Sequence, residues 1–101
     1  MVVIGDRRAW DGVARLGRRR AGCEAETRLA DMQALERRLT LKLRDGDVDL
    51  LILVVADTAA NRGVLATHRA ALRPLLPLDG RDILAAFTKN RLPDASGLIV
   101  L

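Results

Sequence analysis

The 101-residue chain holds one cysteine, one tryptophan, one phenylalanine and no tyrosine. Cys23 therefore has no partner for an internal disulfide, and four-cysteine zinc frameworks are excluded. Without disulfides or a secretory signal, the cytoplasm is the expected compartment. So few aromatics leave no base-stacking platform of the kind that single-strand binders use. Long apolar runs are missing too. The longest, Leu50 to Ala56, is seven residues, against the roughly 18 to 20 that span a bilayer, so no membrane partner is expected. Lysine is scarce: only Lys42 and Lys89 stand among 17 basic residues, a bias that reads as GC-rich coding. What is present is a half-apolar, 30% charged chain with a net charge of +4. That composition fits one compact domain over residues 1–101 with a small aliphatic core. The positive balance permits a phosphate-rich partner without requiring one.

Two segments, Arg7 to Leu16 and Arg19 to Thr27, flank Gly17-Arg18 and predict a β-hairpin. With a two-residue turn, opposed positions place Asp11 against Glu24 and Ala9 against Glu26. Asp11, Glu24 and Glu26 then share one face, and Trp10 and Cys23 take the other. A three-residue turn would move Asp11 opposite Ala25 and dissolve the cluster. Leu29, Met32, Leu35, Leu39 and Leu43 recur at helical spacing, with Gly46 placed to end the helix. Leu50 to Ala56 reads as a strand buried on both faces, and Leu35, Leu39, Ile52 and Val54 are expected among the most buried residues, since the helix can cover its stripe only by packing on this strand. Asp57-Thr58 caps a second helix running to about Arg73, with Val64, Leu65, Ala71 and Leu72 on its apolar side. A third spans Asp79 to about Asn90 with Ile83, Leu84 and Phe87 inward, and a terminal strand follows Gly97. The fold class is α/β, with a mixed sheet of hairpin, central buried strand and C-terminal strand flanked by about three helices.

The Asp11, Glu24, Glu26 cluster carries the most chemistry. Opposed carboxylates repel across strands, and a hard dication such as Mg²⁺ relieves that repulsion while binding through oxygen and retaining waters. A metal so held activates water and stabilises charge on a phosphodiester. The structural alternative is a solvated strand face balanced by Arg15, Arg20 and Arg28. His68, at helical spacing among Val64, Leu65, Ala71 and Leu72, reads as a core-edge residue before it reads as a base. Cys23 reads as a small buried hydrophobe before it reads as a nucleophile. Asp57 and Thr58 serve as caps, and Asn61 and Arg62 are polar residues at the end of the buried strand with no assigned role.

The run WD, twelve residues, then EAE and a helix carrying Gln33 resembles the core of the PD-(D/E)XK, or restriction-endonuclease-like, nucleases. By that resemblance Asp11 and Glu24 are the metal-holding carboxylates, Glu26 stands where Lys is usual, and Gln33 falls early in the following helix as in RecB-related members. The implied activity is Mg²⁺-dependent cleavage of nucleic acid, with Asp11, Glu24, Glu26 and Gln33 as the catalytic set and Arg18, Arg19, Arg20 and Arg28 on the nucleic acid. More narrowly, the stretch from GDRRAWD to LILVVADTAANR is similar to the C-terminal domain of actinobacterial regulators bearing an XRE-type helix-turn-helix. That likeness implies a nuclease-like module of a DNA-associated regulator, acting as a homodimer or with a helix-turn-helix-bearing partner. The superfamily's first helix and any helix-turn-helix have no counterpart in the sequence. The alternative is a catalytically inactive effector or dimerisation module of such a regulator.

Overall fold

The structure, a computed structural model, is described for residues 1–7 and 10–101, leaving aside the side chains of Ile4, Asp6 and Arg7. Strands β1 (Val3–Arg7), β2 (Trp10–Leu16), β3 (Arg19–Glu26), β4 (Leu50–Val55) and β5 (Gly97–Val100) form one sheet in chain order. Helices α1 (Met32–Asp45), α2 (Ala59–Leu72) and α3 (Gly80–Thr88) complete the α/β architecture. β1, β2 and β3 run antiparallel, whereas β3, β4 and β5 run parallel, so the sheet is mixed. β1 is an addition to the sequence reading, which assigns no element to Val2-Val3-Ile4.

The hairpin turn is the two-residue form. Gly17 has φ +59° and Arg18 stays at negative φ, the primed geometry that glycine in the first turn position permits and that matches strand twist. Gly12 consequently faces Cys23 and Leu16 faces Arg19, the expected register. Ala9, expected opposite Glu26, lies outside the described residues.

Alternation along β2 fails once, and this corrects the placement of Trp10. Trp10 and Val13 lie three residues apart yet share one core cluster, and the β1–β2 pairing shifts by one residue between Gly5 and Arg7. A bulge of this kind re-aims side chains. It turns Trp10 to the α1 side of the sheet, while Cys23 packs on the opposite side.

Each face of the sheet has its own core. On one, Leu35 and Leu39 of α1 and Leu65 and Leu72 of α2 cover Leu51, Leu53 and Val55. On the other, Ile83 and Phe87 of α3 cover Leu50, Ile52, Val54 and Ile99. Of the four residues expected most buried, Leu35, Leu39 and Ile52 are buried and Val54 only partly so, and the helix stripe packs on the Leu51, Leu53 and Val55 face of β4. β4 is apolar at every position, so its sequence does not mark which alternate set meets α1. Leu84, expected inward, is 52% exposed, being turned about a quarter of the helix circumference from the buried Ile83. Ala71 is likewise exposed. Asp31 caps α1, its carboxylate accepting from the Ala34 N–H, and Thr58 caps α2 by accepting from the Asn61 N–H. Gly46 closes α1 by donating to the Lys42 carbonyl. No helix among the described residues is long and apolar enough to cross a membrane.

Candidate functional site

Positions 22, 24 and 26 of β3 share the face that meets α1, as the two-residue strand period requires. Two strand steps advance about 6.6 Å and four helical residues about 6 Å, so α1 and β3 stay in step when they run past each other. Arg38 pairs with Glu26 and Lys42 pairs with Glu24. The next rung is apolar: Trp10 fills the space between Gly22 and Gly46, donating its indole N–H to the Gly46 carbonyl at 3.0 Å. A Cβ on Gly22 would come within 2.6 Å of the indole ring, and one on Gly46 equally close. Tryptophan occupies the place of a side chain at Gly22, and at Gly46 the Lys42 carbonyl and the indole together do so. The Lys42 ammonium sits 5.6 Å from the Trp10 ring centroid, within cation–π range.

Asp11 joins this ladder from β2. Its Oδ2 accepts from the Ala25 N–H at 2.8 Å, and its own N–H donates to Glu24 Oε2 at 3.3 Å. The two carboxylates therefore reach across the hairpin to each other's neighbouring backbone. Glu24 is 5% exposed, a burial that requires partners, and Lys42 on one oxygen with the Asp11 N–H on the other supplies them. The mutual repulsion expected of Asp11, Glu24 and Glu26 is relieved by Lys42, Arg38 and two backbone N–H groups.

The sequence reading missed Lys42 and Arg38. Lys42 falls three residues after Leu39 and seven after Leu35, on the stripe that docks α1, and a cation inside an apolar stripe signals a buried acidic partner. With lysine so scarce in the chain, that position is the more telling.

The oxygen-only donor set of Asp11 and Glu24 fits a hard dication, since Mg²⁺ needs only one or two carboxylates and fills its remaining positions with water. Asp11 Oδ1 and Glu26 Oε2 have no hydrogen-bond partner among the described residues. Among those residues no group of three or more His, Cys, Asp and Glu is arranged to hold a metal ion.

The other candidates scatter. Gln33 is exposed on α1 and lines a shallow surface with Glu36, Arg37, Thr40 and Leu41, away from the carboxylates. Arg28 lies in the open with Glu26, Arg38 and Asp31 around it. The triplet Arg18, Arg19, Arg20 splits, because successive strand residues point to opposite faces. Arg19 reaches the Pro93 carbonyl at 3.1 Å, and Arg20 pairs with Asp47 at 2.8 Å. Cys23 is half-buried, and burial pushes its thiol pKa up despite the backbone hydrogen bond from Ala14, which suits a packing residue. His68 is half-buried on α2.

Asn61 has a structural explanation. Fully buried, it donates to the Thr27 and Ala56 carbonyls at 3.0 and 2.9 Å and accepts from the Leu29 N–H at 2.9 Å. It thereby clamps the chain leaving β3 to the chain leaving β4. Arg62 pairs with Asp57. Comparison with protein-family profiles, with curated proteins and with solved structures returned no match.

Proposed function

We propose that this chain is a nuclease-like domain with a restriction-endonuclease-like core, acting on nucleic-acid phosphodiesters as part of a DNA-associated regulator. One observation carries the reading: the Lys42 ammonium reaches Glu24 beside Asp11. The cation absent from position 26 of β3 is thereby contributed from α1. Two carboxylates and one ammonium at a strand end are the functional groups that metal-assisted phosphodiester hydrolysis needs. Asp11 and Glu24 would hold Mg²⁺, which supplies an acidified water and charge neutralisation on the phosphate. Lys42, beside Glu24, would be the donor for a phosphate oxygen. Glu26, held by Arg38, positions that arginine at the rim. Gln33 has no part in the chemistry from its exposed place on α1. The setting is the cytoplasm, with the DNA-reading helix-turn-helix on a partner chain or the domain working as a homodimer.

The second reading is an inactive effector or dimerisation module of an XRE-type regulator. The ion ladder favours it, since each of its rungs also docks α1 on β3. A melting series with Mg²⁺ and Mn²⁺, paired with cleavage assays on DNA and RNA, separates the two. A dication bound only by the folded state raises the midpoint as its concentration exceeds Kd, adding about 2.7 kcal/mol to the stability at 100 Kd. The nuclease reading expects that rise, its loss in Glu24→Gln, and metal-dependent cleavage abolished in Lys42→Met. A flat melting series together with intact DNA and RNA leaves the regulator module.

A further inference from the structure

The opposite end of β3 carries a second polar feature. Arg15, Arg18 and Arg20 of the hairpin and Arg44 at the end of α1 line an open cleft of about 470 Å³, floored by Leu43 and Val48 and edged by Asp47 and Asp49. Its acidic groups are already engaged. Asp47 pairs with Arg20 at 2.8 Å, and Asp49 accepts from the Arg20 N–H at 2.8 Å. Arg20 is thereby fixed in the wall, and Arg44 is held by its own neighbour Asp45 at 3.0 Å. Arg15 and Arg18 are exposed and have no carboxylate within salt-bridge distance among the described residues. Two unpaired guanidinium groups beside two anchored ones make an anion-accepting wall, and guanidinium forks match phosphate oxygens bidentately.

Arg20 lies on the same β3 face as Glu24, as the two-residue strand period requires, and four residues along the strand amount to about 13 Å.

We infer that this cleft grips backbone phosphates of a double-stranded nucleic acid, about 13 Å along β3 from the phosphodiester presented to Asp11 and Glu24. The inference rests on the proposed function for its partner class. It replaces the linear Arg18, Arg19, Arg20 and Arg28 set with Arg15, Arg18, Arg20 and Arg44. The near absence of aromatics fits a grip on phosphates instead of bases.

The test is fluorescence anisotropy of the full chain with a labelled 20-base-pair DNA duplex in EDTA, over a series of salt concentrations. The double variant Arg15→Ala/Arg18→Ala keeps the native melting midpoint, because both side chains are exposed. It weakens binding and lowers the salt slope by about 2, at roughly 0.9 for each phosphate that is no longer neutralised. Arg81→Ala, an exposed change on α3, leaves the slope unaltered. An unchanged slope in the double variant overturns the inference, as does an equal loss in Arg81→Ala or no duplex binding at low salt. Cleavage of bis(p-nitrophenyl) phosphate, too short to reach the cleft, reports on the carboxylate site alone. Cleavage of that diester with an unchanged slope sinks the cleft and spares the proposed function. Duplex binding with the expected slope loss supports the cleft whether or not the diester is cleaved.

Discussion

The two flanks of α1 dock on the sheet by different physics. One flank sets Leu35 and Leu39 over Leu51, Leu53 and Val55. The other sets Arg38 and Lys42 over Glu26 and Glu24. The aliphatic flank stabilises through area removed from water, about 25 cal/mol per Å². The charged flank gains little net stability, because desolvating Glu24 and half-burying Lys42 offsets most of their attraction. An interface that needed only to hold would be aliphatic on both sides. The difference therefore separates what keeps the helix in place from what keeps carboxylates and an ammonium together at one strand end, and it is the second flank that the proposed chemistry uses.

Breaking the aliphatic flank has the largest expected effect. Leu39→Ala removes a fully buried side chain and costs about 2 to 5 kcal/mol, read as a lowered urea midpoint at an unchanged m-value. A near-native midpoint would show that α1 is held by its charged flank. Gly22→Ala comes next. The new Cβ meets the Trp10 ring at 2.6 Å, and overpacking costs about 1 to 3 kcal/mol. Indole fluorescence should shift with it, since Trp10 must move away from the Gly46 carbonyl it bonds.

How far these flanks were legible in the sequence follows from what each depends on. The leucine stripe of α1, the capping residues Thr58 and Gly46, and the Gly17-Arg18 turn are local patterns, and each forms where its pattern stands; Asp31, which caps α1, was not read as a cap. The register from Leu16 to Gly12 followed from counting across that turn, and Asp11 meets Glu24 just beyond it through its N–H. The partners of the carboxylates did not follow, because pairing Lys42 with Glu24 requires knowing which side of β3 faces α1 and how far the helix slides along it. Trp10 was misplaced for a related reason: the bulge near Asp11 depends on β1, whose five residues carry too little alternation to announce a strand. β4 is apolar throughout, so only tertiary packing decides which of its faces receives α1.

The charged flank is sharpened by separating the pair from its members. Lys42→Met leaves Glu24 buried without its cation and costs about 1 to 2 kcal/mol, between the ranges for exposed and fully buried pairs. The double change Glu24→Gln/Lys42→Met should recover most of that loss, a coupling that a double-mutant cycle measures directly. If both single variants and the double are additive, the ladder is a solvated strand face and the comparison between the flanks collapses.

The smallest expected effect sets an exposed ion pair against the buried one. Asp79, ahead of α3, bonds Arg73 and Arg69, each at 3.0 Å, with its side chain half exposed. The hydrogen bond from Arg73, reinforced by Arg69, holds its carboxyl below the usual range despite slight desolvation in the other direction. A folded pKa below the unfolded value, about 3.9 for an aspartate, contributes stability that is present above that value and is lost as pH falls through the folded pKa. Solvent screening keeps this contribution within about 1 kcal/mol at neutral pH. Asp79→Asn should therefore lower stability slightly at pH 7, by less than Lys42→Met does. Below about pH 4, where the wild type loses the same contribution by protonation, the two proteins should converge. Urea midpoints measured from pH 7 to pH 2.5 would show that convergence, and curves that stay parallel over the range would mean that Asp79 is no better paired in the folded chain than in the unfolded one.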